Sequence, residues 1–198
     1  MERITMPKGF TEQEKINIRE KLVAACTEFW TKQGYRKTNV DELCKRAGIS
    51  KGGFYLFFNS KEELFGEVLC LLQWEIYEAA QEMIRQQPGK DGATAALRYV
   101  YRAYDENNFL YNSDCADYIL LLSKLTPEQL GVIREMEEKN RRLFLDVPHL
   151  KLKISEELAA STIYSLIMIV KQKHVLPNHA ETFDFMAEKL VEHIYEEC

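Results

Sequence analysis

The sequence has only five cysteines, Cys26, Cys44, Cys70, Cys115 and Cys198, an odd number set far apart and without a C-x-x-C pair. That spacing supports neither a disulfide framework nor a zinc site, and buried or idle thiols are the expectation. Histidine is scarcer still: of the four, His174 and His179 lie five apart across Pro177, which is no same-face metal pair, and His149 and His193 stand alone. Neither a metal nor another cofactor is expected. The G-x-S-x-G, H-E-x-x-H, P-loop and dinucleotide patterns are all missing, so nothing points to an enzyme. No apolar run reaches the roughly 18 residues a spanning helix needs, and no h-region precedes a small-residue cleavage site. A soluble, cytoplasmic protein without a membrane partner is therefore expected. Internal repeats, low-complexity tracts and alternating stretches long enough for a convincing strand are absent too, which leaves all-α as the expected fold class.

What is present is a chain of 198 residues with 46% hydrophobic residues, enough for a sizeable core. The net charge of −5 by itself argues against a general nucleic-acid binder. Its distribution argues otherwise. Residues 1–65 hold 12 Lys+Arg against 9 Asp+Glu, and residues 66–198 hold 14 against 22, which together return −5. Only the N-terminal third can approach a phosphate backbone without repulsion.

That third contains the most informative stretch, Asn39 to Leu64, NVDELCKRAGISKGGFYLFFNSKEEL. Asn39 with Glu42 reads as a capping box opening a short helix, Leu43 and Ala47 share its buried face, and Gly48 suits the left-handed residue that ends it. Ser50 is placed to cap a second short helix, Lys51 to Phe58, in which Phe54 and Phe58 are spaced to face the core. Ser60 with Glu63 reads as another capping box and opens a third helix. Two short helices across a tight turn are the grammar of a helix-turn-helix DNA reader.

Upstream, a helix is predicted from a Thr11–Glu14 capping box to Gly34, behind a loose arm of residues 1–10. The third helix of the reader continues from Lys61 to about Gln86, where Pro88 and Gly89 stop it. At about 1.5 Å per residue it would form a rod of roughly 39 Å joining both halves. The domains are therefore read as 1–65 for DNA and 66–198 for a helical bundle. In the bundle, helices are predicted over Ala93–Glu106, Ser113–Ser123, Pro127–Leu145, Glu156–Lys173 and His179–Glu197.

From Gly34 to Leu64 the sequence GYRKTNVDELCKRAGISKGGFYLFFNSKEEL resembles the signature of the tetracycline-repressor (TetR) family of bacterial transcription regulators. The resemblance covers about the first 70 residues. It implies a ligand-responsive regulator, expected to be a repressor that binds a palindromic double-stranded operator as a homodimer and is released by a small-molecule effector, with corepression as the other mode. The alternative is an all-helical small-molecule-binding or interaction module whose DNA unit is vestigial. The DNA-contacting positions would be Thr38, Ser50, Lys51, Gly52, Gly53, Tyr55, Leu56 and Lys61. Lys51 would add its charge to the helix N-terminus, Tyr55 would reach phosphate, and Thr38 and Lys61 would clamp the backbone. Two departures stand out: Gly53 where relatives often carry Thr, Ser or Ala, and Phe57 where they often carry a phosphate-binding His or Tyr. Specificity would then lean on Leu56 against thymine methyls, on Lys51 and on DNA shape.

The resemblance also implies an effector pocket inside the bundle, for which Trp74, Tyr77, Tyr101, Tyr104, Phe109, Tyr118 and Tyr164 are the candidates. The run Leu158 to Val170, LAASTIYSLIMIV, is apolar almost all the way round and must be covered on more than one side. A homodimer joined by the last two helices, through Ile163, Leu166, Ile167, Val170, Phe183, Met186 and Leu190, is the economical cover.

Overall fold

The computed structural model describes residues 10–107 and 116–198. Its elements in chain order are α1 (Glu12–Lys37), α2 (Val40–Ala47), α3 (Lys51–Phe54), α4 (Lys61–Gln86), α5 (Lys90–Glu106), α6 (Ala116–Leu122), α7 (Pro127–Arg142), β1 (Leu150–Leu152), α8 (Glu156–Ile167), a 3₁₀ turn (Met168–Gln172), α9 (His179–Ile194) and β2 (Tyr195–Glu197). The fold is all-α with one two-stranded ribbon.

Local chemistry sets the helix ends. The Thr11–Glu14 capping box forms, and so does the Thr126–Gln129 box with Pro127 in the first turn. The other two predicted boxes form only by half. Asn39 accepts from the Glu42 amide at 2.9 Å, but the Glu42 carboxylate accepts from the Gln33 side chain instead. Ser60 accepts from the Glu63 amide at 3.1 Å, while the Glu63 carboxylate reaches one residue further back to the Asn59 amide. Gly34, at φ 83°, breaks the last turn of α1, and Gly48, at φ 75°, ends α2.

The predicted recognition helix, Lys51 to Phe58, is shorter than expected: α-helix lasts from Lys51 to Phe54 and then tightens. Leu56 and Phe57 donate three residues back, to Gly53 and Phe54, and this carries the turn on to Phe58. Two adjacent glycines, the poorest helix formers after proline, explain why the regular part stops so soon.

Around α4, a continuous apolar core runs from the N-terminal helices into the later ones, built on Leu22, Trp30, Leu43, Phe54, Phe58, Leu64 and Phe65 at one end and on Leu97, Leu121, Phe183 and Ala187 further along. The C-terminal segment departs most from expectation. The helix predicted over His179–Glu197 ends at Ile194, and β2 pairs antiparallel with β1, Leu152 facing Tyr195 and Leu150 facing Glu197. Tyr195 is buried and its hydroxyl donates to the Phe144 carbonyl. A strand lets that ring drop into the core between α7 and α9. Three-residue strands are too short for alternation to announce them.

Candidate functional site

The turn between α2 and α3 presents one face outward. Ser50 caps α3 by accepting from the Gly53 amide at 3.0 Å. Lys51 and Gly52 are exposed, and Tyr55 and Leu56 are 51% and 74% exposed, whereas Phe54 and Phe58 are sealed in the core. The exposed residues form a small surface of one cation, one phenol and one aliphatic side chain at the start of a helix. Its chemistry suits a phosphate beside a base edge. The Lys51 ammonium stands 3.2 Å from the Asp41 carboxylate, an exposed pair with little holding energy. Lys45, exposed on α2, and Lys37, exposed at the end of α1, belong to the same basic segment; the sequence reading passed over both, although basic residues in a last helical turn were the signal.

Three expected contacts lie elsewhere. Gly53 is buried, and a methyl group there would meet Ser50 Oγ at 3.4 Å and Ile49 Cβ and Cδ1 at 3.5 and 3.9 Å, all ordinary contacts, so alanine fits and the glycine leaves no unusual opening. Thr38 is 1% exposed, and its hydroxyl donates to the Gly34 carbonyl at 2.9 Å. Lys61 turns inward: its ammonium donates to the carbonyls of Tyr35 at 3.0 Å and Thr38 at 2.9 Å and sits 4.1 Å above the Tyr35 ring. Burial holds it below the usual lysine range. The clamp assigned to Thr38 and Lys61 is corrected accordingly. Both are internal fasteners of the turn after α1, because a helix start packed against another helix end faces carbonyls as readily as solvent.

A cavity of about 660 Å³ opens in the bundle among α4, α5, α6, α7 and α8. Of the predicted effector residues it gathers three, Tyr104, Tyr118 and Tyr164. Tyr101 is excluded: it is 2% exposed, stacks on Phe183 at 3.9 Å and its hydroxyl meets His179 Nδ1 at 2.6 Å. Trp74 faces out, 42% exposed, with the Lys139 ammonium 5.6 Å from its ring, and Tyr77 belongs to a separate shallow cleft. Phe109 lies outside the described residues. The rod contributes the neighbours Gln73 and Ile76 instead, one position from the aromatic residues a sequence reading favours. Also unforeseen were the polar members from α7 and α8, Glu137, Asn140, Arg141 and Glu157, since charged residues on amphipathic helices read as solvent faces.

Burial raises the Tyr104 and Tyr118 phenols to about 12, helped by nearby Tyr164 and Glu137. The fold thus favours the neutral phenol. The stability tied to it is complete below the ordinary tyrosine value of 10.0 and is lost as pH climbs toward about 12. An ultraviolet titration should find late-ionising phenols at Tyr35, Tyr101, Tyr104, Tyr118 and Tyr195 among the described residues, and Tyr104→Phe should remove one of them; early ionisation of all tyrosines would contradict the burial.

Residues 22–68 match the profile described as "Bacterial regulatory proteins, tetR family". Over these residues the chain is similar to that family. Over 67 residues it is 42% identical to an uncharacterised HTH-type transcriptional regulator, YhgD, of Bacillus subtilis (strain 168), covering 34% of this chain and 35% of that one. It is 30% identical over 79 residues to the HTH-type transcriptional regulator AcrR of Shigella flexneri, covering 40% and 37% of the two chains. The matched stretch thus spans little more than a third of either relative. The whole fold is similar to that of FadR from Bacillus subtilis, solved in complex with stearoyl-CoA: TM-score 0.63 at 17% identity, over 87% of this chain and 95% of that one.

The matched segment meets the bundle at a polar joint. The Arg36 guanidinium pairs with Asp117 of α6 at 2.7 Å, and the Arg36 amide donates to the same carboxylate at 3.3 Å. Tyr35 donates to Glu62 at the start of α4, and Lys124, just beyond α6, stands 3.5 Å from that carboxylate. Hydrogen bonding from Tyr35 and the nearby lysines hold Glu62 below the usual glutamate range although burial pulls the other way. A side chain at Gly34 would meet the Asp117 carboxylate at 3.0 Å as well as straining the backbone. Asp117 at this joint and Tyr118 in the cavity are consecutive residues of α6.

Proposed function

We propose that the protein is a DNA-binding transcription regulator, a homodimer that sits on a palindromic operator and is released when a small molecule occupies the bundle cavity. We assign the reader to residues 1–65 and the effector and dimer functions to 66–198. The observation that carries the reading is the outward face of α3, where Lys51, Tyr55 and Leu56 project while their neighbours Phe54 and Phe58 anchor the core. Lys51 and Tyr55 meet phosphate, Leu56 meets the thymine methyl, and Ser50 and Gly52 bring the helix N-terminus close to the backbone. Lys37 and Lys45 add charge.

The dimer reading is supported by apolar side chains left in water on α8 and α9: Leu158 is 55% exposed, Phe185 66% and Met186 44%. Of the residues first expected there, Ile163, Leu166, Ile167, Val170 and Phe183 are buried within the protomer, Leu190 is half-buried and only Met186 is exposed. An all-round apolar helix cannot reveal from sequence which side its own bundle takes.

Release is supported by the sequence Asp117–Tyr118. An occupant that displaces Tyr118 moves α6, and with it the carboxylate that holds Arg36 and the turn after α1. The same occupant touches Gln73 and Ile76 of α4, so both elements entering the reader are biased together. Reciprocity requires operator and effector to weaken each other by one factor. A CoA thioester such as FadR holds would set its phosphates against Glu137 and Glu157, which speaks against that class here.

The test is fluorescence anisotropy on the duplex upstream of the protein's own gene, across a salt series. Lys51→Ala should weaken binding to every sequence and reduce the salt slope by about 1. If the slope stays the same and only sequence preference changes, the phosphate role of Lys51 is wrong.

A further inference from the structure

We propose that the bundle cavity takes lipophilic amines in their protonated form; this rests on reading that cavity as the effector site. The first ground is an unanswered acceptor. Gln73 is 5% exposed and lines the cavity, and its amide oxygen has no hydrogen-bond partner. A buried carbonyl oxygen without a donor is costly, and an N–H carried in by an occupant removes the cost.

The second ground is the sign of the charge. Glu137 and Glu157 line the cavity and, among the described residues, neither takes part in an ion pair. Its one cation, Arg141, makes an exposed pair with Glu138 at 3.1 Å. An anionic occupant would face two carboxylates against a single cation, whereas an ammonium gains from the excess of negative charge. The third ground is the wall. Tyr104, Tyr118 and Tyr164 line it with aromatic rings, a residue type that attracts cations, and Ile76, Val100, Phe144 and Ile163 offer apolar surface for a hydrocarbon body. A neutral apolar molecule satisfies the last set alone. An alcohol satisfies the last set and the Gln73 oxygen. A protonated amine satisfies all three.

The experiment compares one body with three heads: 6-(2-naphthyl)hexylamine, the matching alcohol and the matching carboxylic acid, titrated calorimetrically at neutral pH against the full chain. The amine should bind at least about tenfold more tightly than the carboxylate, with the alcohol between them. Glu137→Gln should weaken the amine by about fivefold and strengthen the carboxylate. Gln73→Met should weaken amine and alcohol alike and leave the carboxylate unchanged. Circular dichroism confirms that each variant is folded. Ala160→Trp, which fills the cavity, should abolish binding of the amine. If the carboxylate binds most tightly and Ala160→Trp abolishes its binding, the ligand class is overturned and the cavity reading stands. If no head binds, or if Ala160→Trp changes nothing, the cavity reading itself falls and the inference with it.

Discussion

Replacing Phe185 by glutamate together with Leu158 should convert a dimer into a folded monomer of 23.2 kDa by light scattering, with a melting temperature close to that of the parent. Both side chains are more than half exposed in the protomer, so charging them costs the isolated fold little while setting like charges across the proposed interface. Because two half-sites are then no longer bound by one particle, operator affinity should fall by about 100-fold or more. Ile167→Glu should behave differently. At 8% exposure its carboxylate would enter the protomer's own core, and the expected result is unfolding rather than dissociation. A double variant that keeps twice the monomer mass would rule out this face as the interface.

Lys61→Met is expected to lower the stability of the fold by about 2–3 kcal/mol, measured by urea denaturation, while leaving the salt slope of DNA binding as it was. Methionine keeps most of the apolar stem that lies across Tyr35 but cannot donate to the carbonyls of Tyr35 and Thr38, which then lack their charged partner. Lys51→Ala should give the opposite pair of results, since its ammonium is held only by an exposed carboxylate. The two lysines open neighbouring helices and look alike in a sequence. A fall in the salt slope for Lys61→Met, with stability unchanged, would return that residue to the DNA face.

That contrast marks how far the sequence could be read. Caps, glycine stops and 3.6-residue periodicity report on the nearest few residues, and they located α4 to the residue and most other helices to within a turn. Outward residues of α3 were legible because Phe54 and Phe58 use up its inner face. What depends on the partner of a side chain was not legible. Thr38 and Lys61 turn inward because α1 and α4 meet there, and Trp74 turns outward while Gln73, one position away, faces the cavity, a rotation of about 100° that periodicity resolves poorly along a helix with apolar residues on most sides. The ribbon formed by β1 and β2 was missed for a related reason, since its pairing joins segments far apart in sequence.

That ribbon also imposes a timetable on synthesis. Tyr195 fastens the Phe144 end of α7, a wall of the cavity, across 51 positions of chain. The reader and its contacts are made long before. A growing chain therefore folds its N-terminal helices well before the cavity has its full boundary.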